Sequence, residues 1–394
     1  MKKFFALVVM FLILVSNQAQ AQTDNATDTR VILTALPFLR IAADARAAGM
    51  ADMGVATSPD AWSQQWNPAK FAFSDRQTKV GVSYTPYLRR LVPDIDIAQL
   101  AYSNRINEFS AFAGSIRYFS LGDINLTTGP NDPGRTESPN EFIVDLTYAL
   151  RLSERFSMAV TGRYLRSDLR FQDTDNDASA ANSFGVDVSG YYQSEEIAYN
   201  SFNGRWRGGF NVSNIGPKIS YDEGGQENFI PTNLALGGGF DFILNDGYSV
   251  IGVTAEVNKL LVPTPPVREV GDANGNGVFR EVLDGQDDDV EFIQGIFQSF
   301  GDAPGGFSEE LEEFTWAIGA EYTYDNSFTV RTGYFNESDS KGARKFLTLG
   351  AGFEFSSINI DLAYLFATGR INSPLEGALR FSLSFSFGEE YDEY

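Results

Sequence analysis

The chain alternates apolar and polar residues along many short segments, and the segment near its C-terminal end shows this most clearly. From Leu379 to Phe387 it reads Leu-Arg-Phe-Ser-Leu-Ser-Phe-Ser-Phe. Successive side chains of a β-strand point to opposite faces, so one face carries Leu and Phe and the other carries Arg and Ser. The acidic residues 388–394 that follow supply no second layer for the apolar face. A bilayer covers such a face when the sheet closes on itself, so the pattern predicts a transmembrane β-barrel.

Fourteen segments alternate in this way, which predicts an all-β, 14-stranded antiparallel barrel. The connections after the second, fourth, eighth, tenth and twelfth segments are short, and most of the others are longer; the connection after the sixth, 194–204, is an exception. Short turns at one end and long loops at the other are typical of bacterial outer-membrane barrels, whose short turns face the periplasm. The predicted strands span about 78–85, 95–103, 109–119, 141–151, 156–169, 181–193, 205–215, 232–243, 248–260, 315–324, 327–336, 346–356, 357–367 and 378–387.

The N-terminal segment predicts export from the cytoplasm. Two lysines precede an apolar run over residues 4–15, and an Ala-Gln-Ala sequence ends at Ala21. This is the order of parts in a secretory signal, so we predict that residues 1–21 are a signal peptide removed before Gln22. No later stretch approaches the ~20 apolar residues of a membrane helix, so we expect the chain to cross the outer membrane with strands.

Between the signal and the first predicted strand, residues 22–77 show no strand pattern and contain many Ala and Gly residues. Small residues let backbones approach closely, and Pro68 directs Asn67 away from helical geometry. The lumen of a fourteen-stranded barrel is too wide for its own side chains to fill. We therefore predict that residues 22–77 form a compact plug, or hatch, inside a barrel of residues 78–387, with an acidic tail after it.

The longest predicted loop, residues 261–314, contains a pattern of oxygen ligands. Asp272, Asn274 and Asn276 stand at alternate positions with Gly at the sixth, as at the start of an EF-hand calcium loop. The twelfth position, which needs a bidentate carboxylate, is a leucine, and Asp284 follows it. Two interpretations stay open, a calcium site or a turn built on two Asn-Gly steps in an acidic loop.

The same loop contains an apolar helical stripe. Ile293, Ile296, Phe297 and Phe300 fall at i, i+3, i+4 and i+7, Phe292 adjoins them, and acidic residues precede them as a helix dipole favours. Such a stripe needs a cover. It either folds down as a lid on the barrel mouth or docks a partner or cargo protein.

The amino-acid composition excludes several kinds of catalytic and binding site. The chain has no His and no Cys, which excludes a Ser-His triad, a Cys nucleophile and histidine or thiolate metal sites, and no spacing singles out a catalytic carboxylate pair. The net charge of -22 argues against nucleic acid as a partner. The Gly237-Gly238-Gly239 run lies in a predicted strand with no helix after it, so we expect it to pack against the hatch rather than to hold a phosphate. We expect neither an enzyme nor an organic cofactor.

The hatch carries a resemblance to known proteins. It contains Ala45-Arg46-Ala47-Ala48-Gly49-Met50, then Gly54-Val55-Ala56, then Asp60, then Asn67-Pro68-Ala69. In this order before a fourteen-strand pattern, these residues resemble the hatch shared by the FadL-type transporters and the PorV/PorQ family of type IX secretion in Bacteroidetes, and the likeness is closest to the PorV branch. The motif residues are Arg46, Gly49, Asn67, Pro68 and Ala69.

The resemblance implies an outer-membrane barrel without catalytic activity. PorV/PorQ-family proteins associate with the giant SprA/Sov-type translocon barrel, receive cargo carrying a C-terminal secretion signal, and pass it to the cell-surface attachment machinery. FadL-type proteins instead pass hydrophobic compounds through a hatch and a lateral opening in the wall. Because both groups share the hatch, a FadL-like channel remains an alternative.

Overall fold

Fourteen antiparallel strands form a closed barrel in a computed structural model, which describes residues 30–89, 92, 94–127, 132, 134–169, 179–221, 226–268, 282–369 and 376–391. Each strand pairs with its neighbour in the chain, and the last strand pairs with the first, so the wall has no free edge. The predicted fold is confirmed. The wall strands are β1 (Arg76–Pro86), β2 (Asp96–Arg105), β3 (Ser110–Ser120), β4 (Asn140–Ser153), β5 (Phe156–Asp168), β6 (Ala181–Gln193), β7 (Asn203–Ile215), β8 (Asn233–Leu244), β9 (Ser249–Leu260), β10 (Phe314–Tyr324), β11 (Phe328–Asn336), β12 (Lys345–Phe355), β13 (Ile358–Ala367) and β14 (Leu379–Glu390).

The alternation along β14 separates the outside of the barrel from its lumen. Phe381 and Phe387 are exposed on the outer face, whereas Arg380 and Ser382 are buried. The Ser382 hydroxyl accepts a hydrogen bond of 2.7 Å from the backbone N–H of Ala45, a residue of the hatch. The polar row of this strand therefore faces the lumen and the apolar row faces the membrane, as the sequence predicts.

Leu383 provides a test of this register, because it lies in the outward row and pairs with Val82 and Ile360 on the two neighbouring strands. Leu383→Arg should lower the free energy of unfolding in vesicles by ~2 to 4 kcal/mol, as expected for a charge near the bilayer midplane. Phe387→Arg is the matched control, because this outward residue lies nearer the end of the strand and should cost only ~0 to 1 kcal/mol. Equal losses at the two positions would contradict the assigned depth.

The described helices are short, and none of them reaches the length and hydropathy of a membrane-crossing helix. Two lie in the N-terminal segment and two in the long loop before β10. They are α1 (Ala45–Gly49), α2 (Ser63–Trp66), α3 (Phe292–Gln298) and α4 (Phe307–Glu312).

The turn between β6 and β7 is longer than the other turns at the same end of the barrel. Within it Ile197–Ala198 forms a brief strand that pairs with the start of β7. The rings of Tyr199 and Phe202 stack 4.9 Å apart, and Phe202 lies 5.3 Å from Phe242 of β8. Aromatic packing therefore orders this turn, although its length departs from the rhythm of the others.

The segment before β1 runs through the lumen from one end of the barrel to the other. Residues 35–39 pack against wall residues beside the long loops, such as Phe119. Residues 69–73 pack against wall residues beside the short turns, such as Tyr191. The N-terminal end of the described hatch is thus at the extracellular side and its connection to β1 is at the periplasmic side.

Candidate functional site

A chain of alternating charges joins the hatch to the wall. The guanidinium of Arg46 lies 2.7 Å from Asp60 within the hatch and 3.1 Å from Glu321 on β10. Glu321 also pairs with Arg331 on β11, which lies 2.5 Å from Asp361 on β13. Each of these charges has a partner of opposite sign, which offsets the cost of removing it from water. The motif residue Arg46 thus fixes the hatch to one side of the barrel.

A second ion cluster lies on the wall beside the N-terminal part of the hatch. Asp145 of β4 lies 2.6 Å from Arg163 and 3.9 Å from Arg117, and Arg163 lies 2.8 Å from Asp187. All four side chains are almost fully buried. Arg117 also donates to the backbone carbonyl of Leu39 at 3.5 Å, so this cluster also contacts the hatch.

The Asn67-Pro68-Ala69 motif fixes the C-terminal part of the hatch to strand β6, four strands away from β10. The Asn67 side chain donates to the carbonyls of Val55 at 2.8 Å and Gly190 at 3.0 Å, and accepts from the N–H of Ala69. Pro68 begins the 3-10 turn that Asn67 caps. One asparagine therefore ties together two parts of the hatch and strand β6.

Glycines of the wall allow the hatch backbone to approach closely. A β-carbon on Gly237 would lie 2.5 Å from the Val55 side chain and 3.2 Å from the β-carbon of Ala56. The expected packing against the hatch is confirmed for Gly237 and for Gly239, where a β-carbon would lie 3.3 Å from the Ala56 carbonyl oxygen, but not for Gly238. The motif residue Gly49 is placed in the same way, since a β-carbon there would lie 3.1 Å from the α-carbon of Gly350 on β12.

The hatch and the wall together line a cavity in the described part of the lumen. A cavity of about 70 Å³ lies between Trp66 of the hatch and wall residues that include Asn211, Glu256 and Phe335. This volume accommodates a few water molecules.

The predicted calcium ligands fall mostly outside the described residues, which exclude Asp272, Asn274 and Asn276. Asp284 is described. It ends a short strand, Val282–Asp284, that pairs with Val267–Arg268, and its carboxylate accepts from the N–H of Gly285 at 2.9 Å. The calcium site stays a prediction.

The predicted apolar stripe lies on α3, and the structure leaves much of it exposed. Ile293, Phe297 and Phe300 are exposed, and Phe297 is 75% accessible, whereas Phe292 and Ile296 are partly covered. Small residues form the side of α3 that packs against neighbouring loops. Gly295 lies against Phe229 and Pro263, and Ser299 is fully buried. The stripe is therefore not folded down as a lid in this structure.

A third ion cluster binds residues 300–313, the part of the long loop that leads back to β10, which we call its returning limb. Lys259, at the end of β9, lies 2.6 Å from Glu313 and 3.2 Å from Glu310. Lys341 bridges Glu313 and Glu309 at 3.0 and 2.6 Å. The guanidinium of Arg30 lies 2.8 Å from Glu309, which ties the start of the described hatch to α4. Our sequence interpretation missed this cluster, for which the only signal was a lysine among apolar residues followed by a run of glutamates.

The pKa of Asp302 in the same loop is raised to about 6, chiefly because burial disfavours its charge and because Glu313 and Glu310 lie nearby. A raised folded-state pKa contributes stability that is fully present below the ordinary value and is lost as pH rises through about 6. Asp302→Asn removes the charge. We expect this variant to slow proteolytic nicking of residues 263–314 most strongly at pH 7.5, less at pH 5, and not at all below the ordinary pKa of about 3.9. A variant that is nicked faster at pH 7.5 would show that the charged form is needed for the hydrogen bond to the N–H of Thr264 at 3.0 Å.

Comparison with known proteins places the chain in a family. The family described as "Type IX secretion system protein PorV" matches residues 24–267, which is more than half of the 394 residues. No curated protein sequence matches significantly. Among solved structures, the chain is similar to the toluene transporter TodX of Pseudomonas putida, with 12% identity, 91% of this chain and 99% of that chain covered, and a TM-score of 0.49. It is also similar to a FadL homologue of Pseudomonas aeruginosa, with 12% identity, 91% and 100% coverage and a TM-score of 0.42. The match over residues 24–267 shows that this outer-membrane barrel belongs to the PorV family of type IX secretion system proteins.

Proposed function

We propose that this protein binds the SprA/Sov-type translocon barrel in the outer membrane, receives cargo proteins that carry a C-terminal secretion signal, and delivers them to the cell-surface attachment machinery. The observation that carries the proposal is the family match over residues 24–267. The role is one of binding and transfer, without catalysis.

Two features of the molecule support a role at its surface. The hatch is tied to the wall by Arg46 at β10 and by Asn67 at β6, and the cavity beside it has room for a few waters. The extracellular loop presents exposed apolar side chains on α3. A protein that binds partners needs such a surface, whereas a channel for hydrophobic compounds needs a path past the hatch.

Deletion of the gene in the source bacterium tests the proposal. We expect proteins with the C-terminal secretion signal to accumulate inside the cell, and expression of the full chain from a plasmid to restore their secretion. Secreted proteins without that signal serve as the control. Normal secretion together with slower growth on an apolar nutrient would instead support a FadL-like uptake channel.

A further inference from the structure

The returning limb of the long loop covers the outside of the barrel rather than its mouth. Val253 and Val257 of β9 are exposed to the membrane side, and strand periodicity places Lys259 in the same outward row. Lys259 is nevertheless only 1% exposed, because Glu310 and Glu313 bind it and the ring of Phe300 lies 5.8 Å away. Residues 300–313 therefore lie against the outer side of the rim above β9 and β10.

The neighbouring aromatic residues indicate the level of this limb relative to the membrane. Lys259 pairs with Phe314, and the next outward residue on β10 is Trp316, whose ring lies 5.7 Å from that of Tyr334. Outward Trp and Tyr residues mark the level of the membrane interface in barrels of this kind. The limb therefore starts at the level of the lipid headgroups.

Five apolar side chains of this region are exposed, which we name the rim surface. Three belong to the stripe that begins on α3 and ends next to Lys259, and two lie one turn apart on α4, whose Glu310 binds the same lysine. Their exposed fractions run from 51% to 78%. The rim surface consists of Ile293, Phe297, Phe300, Phe307 and Leu311.

Charge decides between lipid and protein as the cover of the rim surface. Residues 282–313 contain ten acidic residues and no Lys or Arg. Basic residues elsewhere in the chain pair with several of these acids, as Arg268 does with Asp287 and Asp288 and Lys259 does with Glu310 and Glu313. Among these acids, Glu291 and Glu312 are exposed close to the apolar residues in the chain. Anionic headgroup phosphates would repel a surface of this charge, whereas a protein with Lys and Arg around an apolar patch would complement it.

We propose that the rim surface docks a neighbouring outer-membrane protein that stands beside this barrel and meets it with an apolar patch bordered by basic residues. The inference deepens the proposed function and rests on it, since it states which surface binds the translocon barrel and which chemistry that barrel presents. Contact from the side also leaves the mouth of the barrel uncovered.

The first arm of the test separates protein from lipid. The chain has no native Cys, so a polarity-sensitive thiol dye on Phe297→Cys reports this site alone. In vesicles of outer-membrane lipid that contain only this protein, the dye should emit as it does in water, and its emission should shift to the blue in native membranes that contain the partner. A blue-shifted emission in the vesicles alone would overturn the proposal in favour of lipid insertion.

The second arm measures the complex itself. Phe297→Asp with Phe300→Asp should leave the barrel folded and heat-resistant on gels, yet reduce at least tenfold both its co-migration with the translocon barrel on native gels and the secretion of cargo. Leu283→Asp is the matched control, because this residue is 62% exposed in the same loop but lies outside the rim surface. Cross-links from the thiol of the Phe297→Cys variant should map to an apolar segment of the translocon barrel flanked by Lys or Arg.

The outcomes also separate this inference from the proposed function. Retained complex and secretion in the double variant would overturn the rim surface as the docking site while leaving the function intact. If deletion of the whole gene does not affect secretion, the function itself is wrong. Cross-links that map to an acidic or wholly polar segment would contradict the partner chemistry.

Discussion

Removal of the hatch should convert a barrel of low conductance into an open pore. Deletion of residues 30–73 takes away the segment that runs from the long loops to the short turns. A fourteen-stranded wall cannot fill its own lumen, so water and ions should enter the space that is left. In planar bilayers the intact protein should show little steady current, and the deletion variant should show a large and stable one.

Heat-modifiable migration on gels is the control that the deletion variant still forms a closed barrel. Arg331 and Asp361 on the wall remain paired with each other after the deletion, which favours retention of the barrel. Large steady currents from the intact protein would contradict the role of the hatch as a plug and would favour a channel.

Loss of one buried carboxylate in the lumen should strongly destabilise the folded barrel. Asp145→Ala leaves the guanidinium groups of Arg117 and Arg163 buried with one carboxylate fewer between them. Removal of one partner from a buried ion pair typically costs about 3 to 5 kcal/mol, because the remaining charge stays desolvated. We expect the free energy of unfolding in vesicles, measured with urea, to fall by about this amount.

The matched control is an ion pair at the surface. Glu390 at the end of β14 lies 3.4 Å from Arg76, and its side chain is 70% exposed. Glu390→Ala should change the free energy of unfolding by only ~0 to 1 kcal/mol, since water and salt already screen that pair. If both substitutions cost the same, the buried cluster does not contribute to stability as its burial and distances indicate.

Strand periodicity predicts which face of the sheet each side chain occupies, and this was enough to predict most of the barrel architecture. The apolar row of β14 points outward and the polar row meets the hatch, as the alternation indicates. The same rule applied to Lys259 would have placed it at the outer face, but it could not show that Glu310 and Glu313 cover it there. Periodicity sets a direction, whereas the partner of a side chain depends on contacts between distant parts of the chain.

The charge network of the hatch illustrates the same limit. Arg46 belongs to a motif that was recognised in the sequence, yet its partner Glu321 lies 275 residues away in the chain. No local pattern links these two positions. Their pairing follows from the closure of the barrel around the hatch, which brings the side chains of Arg46 and Glu321 together.

Helix α3 shows that an apolar pattern in the sequence does not identify which molecule buries the apolar face. The stripe of Ile293, Phe297 and Phe300 has the spacing of a buried helical face. In the structure the small side of the helix is buried instead, because Gly295 allows close approach to Phe229. Apolar spacing indicates that a face needs burial, and it does not say whether the chain itself or another molecule provides it.

A hatch locked to the wall tests most directly whether the protein acts through its surface. Ala56→Cys with Gly237→Cys places two β-carbons about 3.2 Å apart, so a small shift that also turns Val55 aside allows a disulfide, and the chain has no other Cys. Secretion of cargo is measured in the deletion strain that expresses this variant, once with the disulfide oxidised and once with it reduced. We expect full and equal secretion in both states. Secretion that stops in the oxidised state and returns on reduction would show that the hatch must move, and would contradict a role confined to the surface.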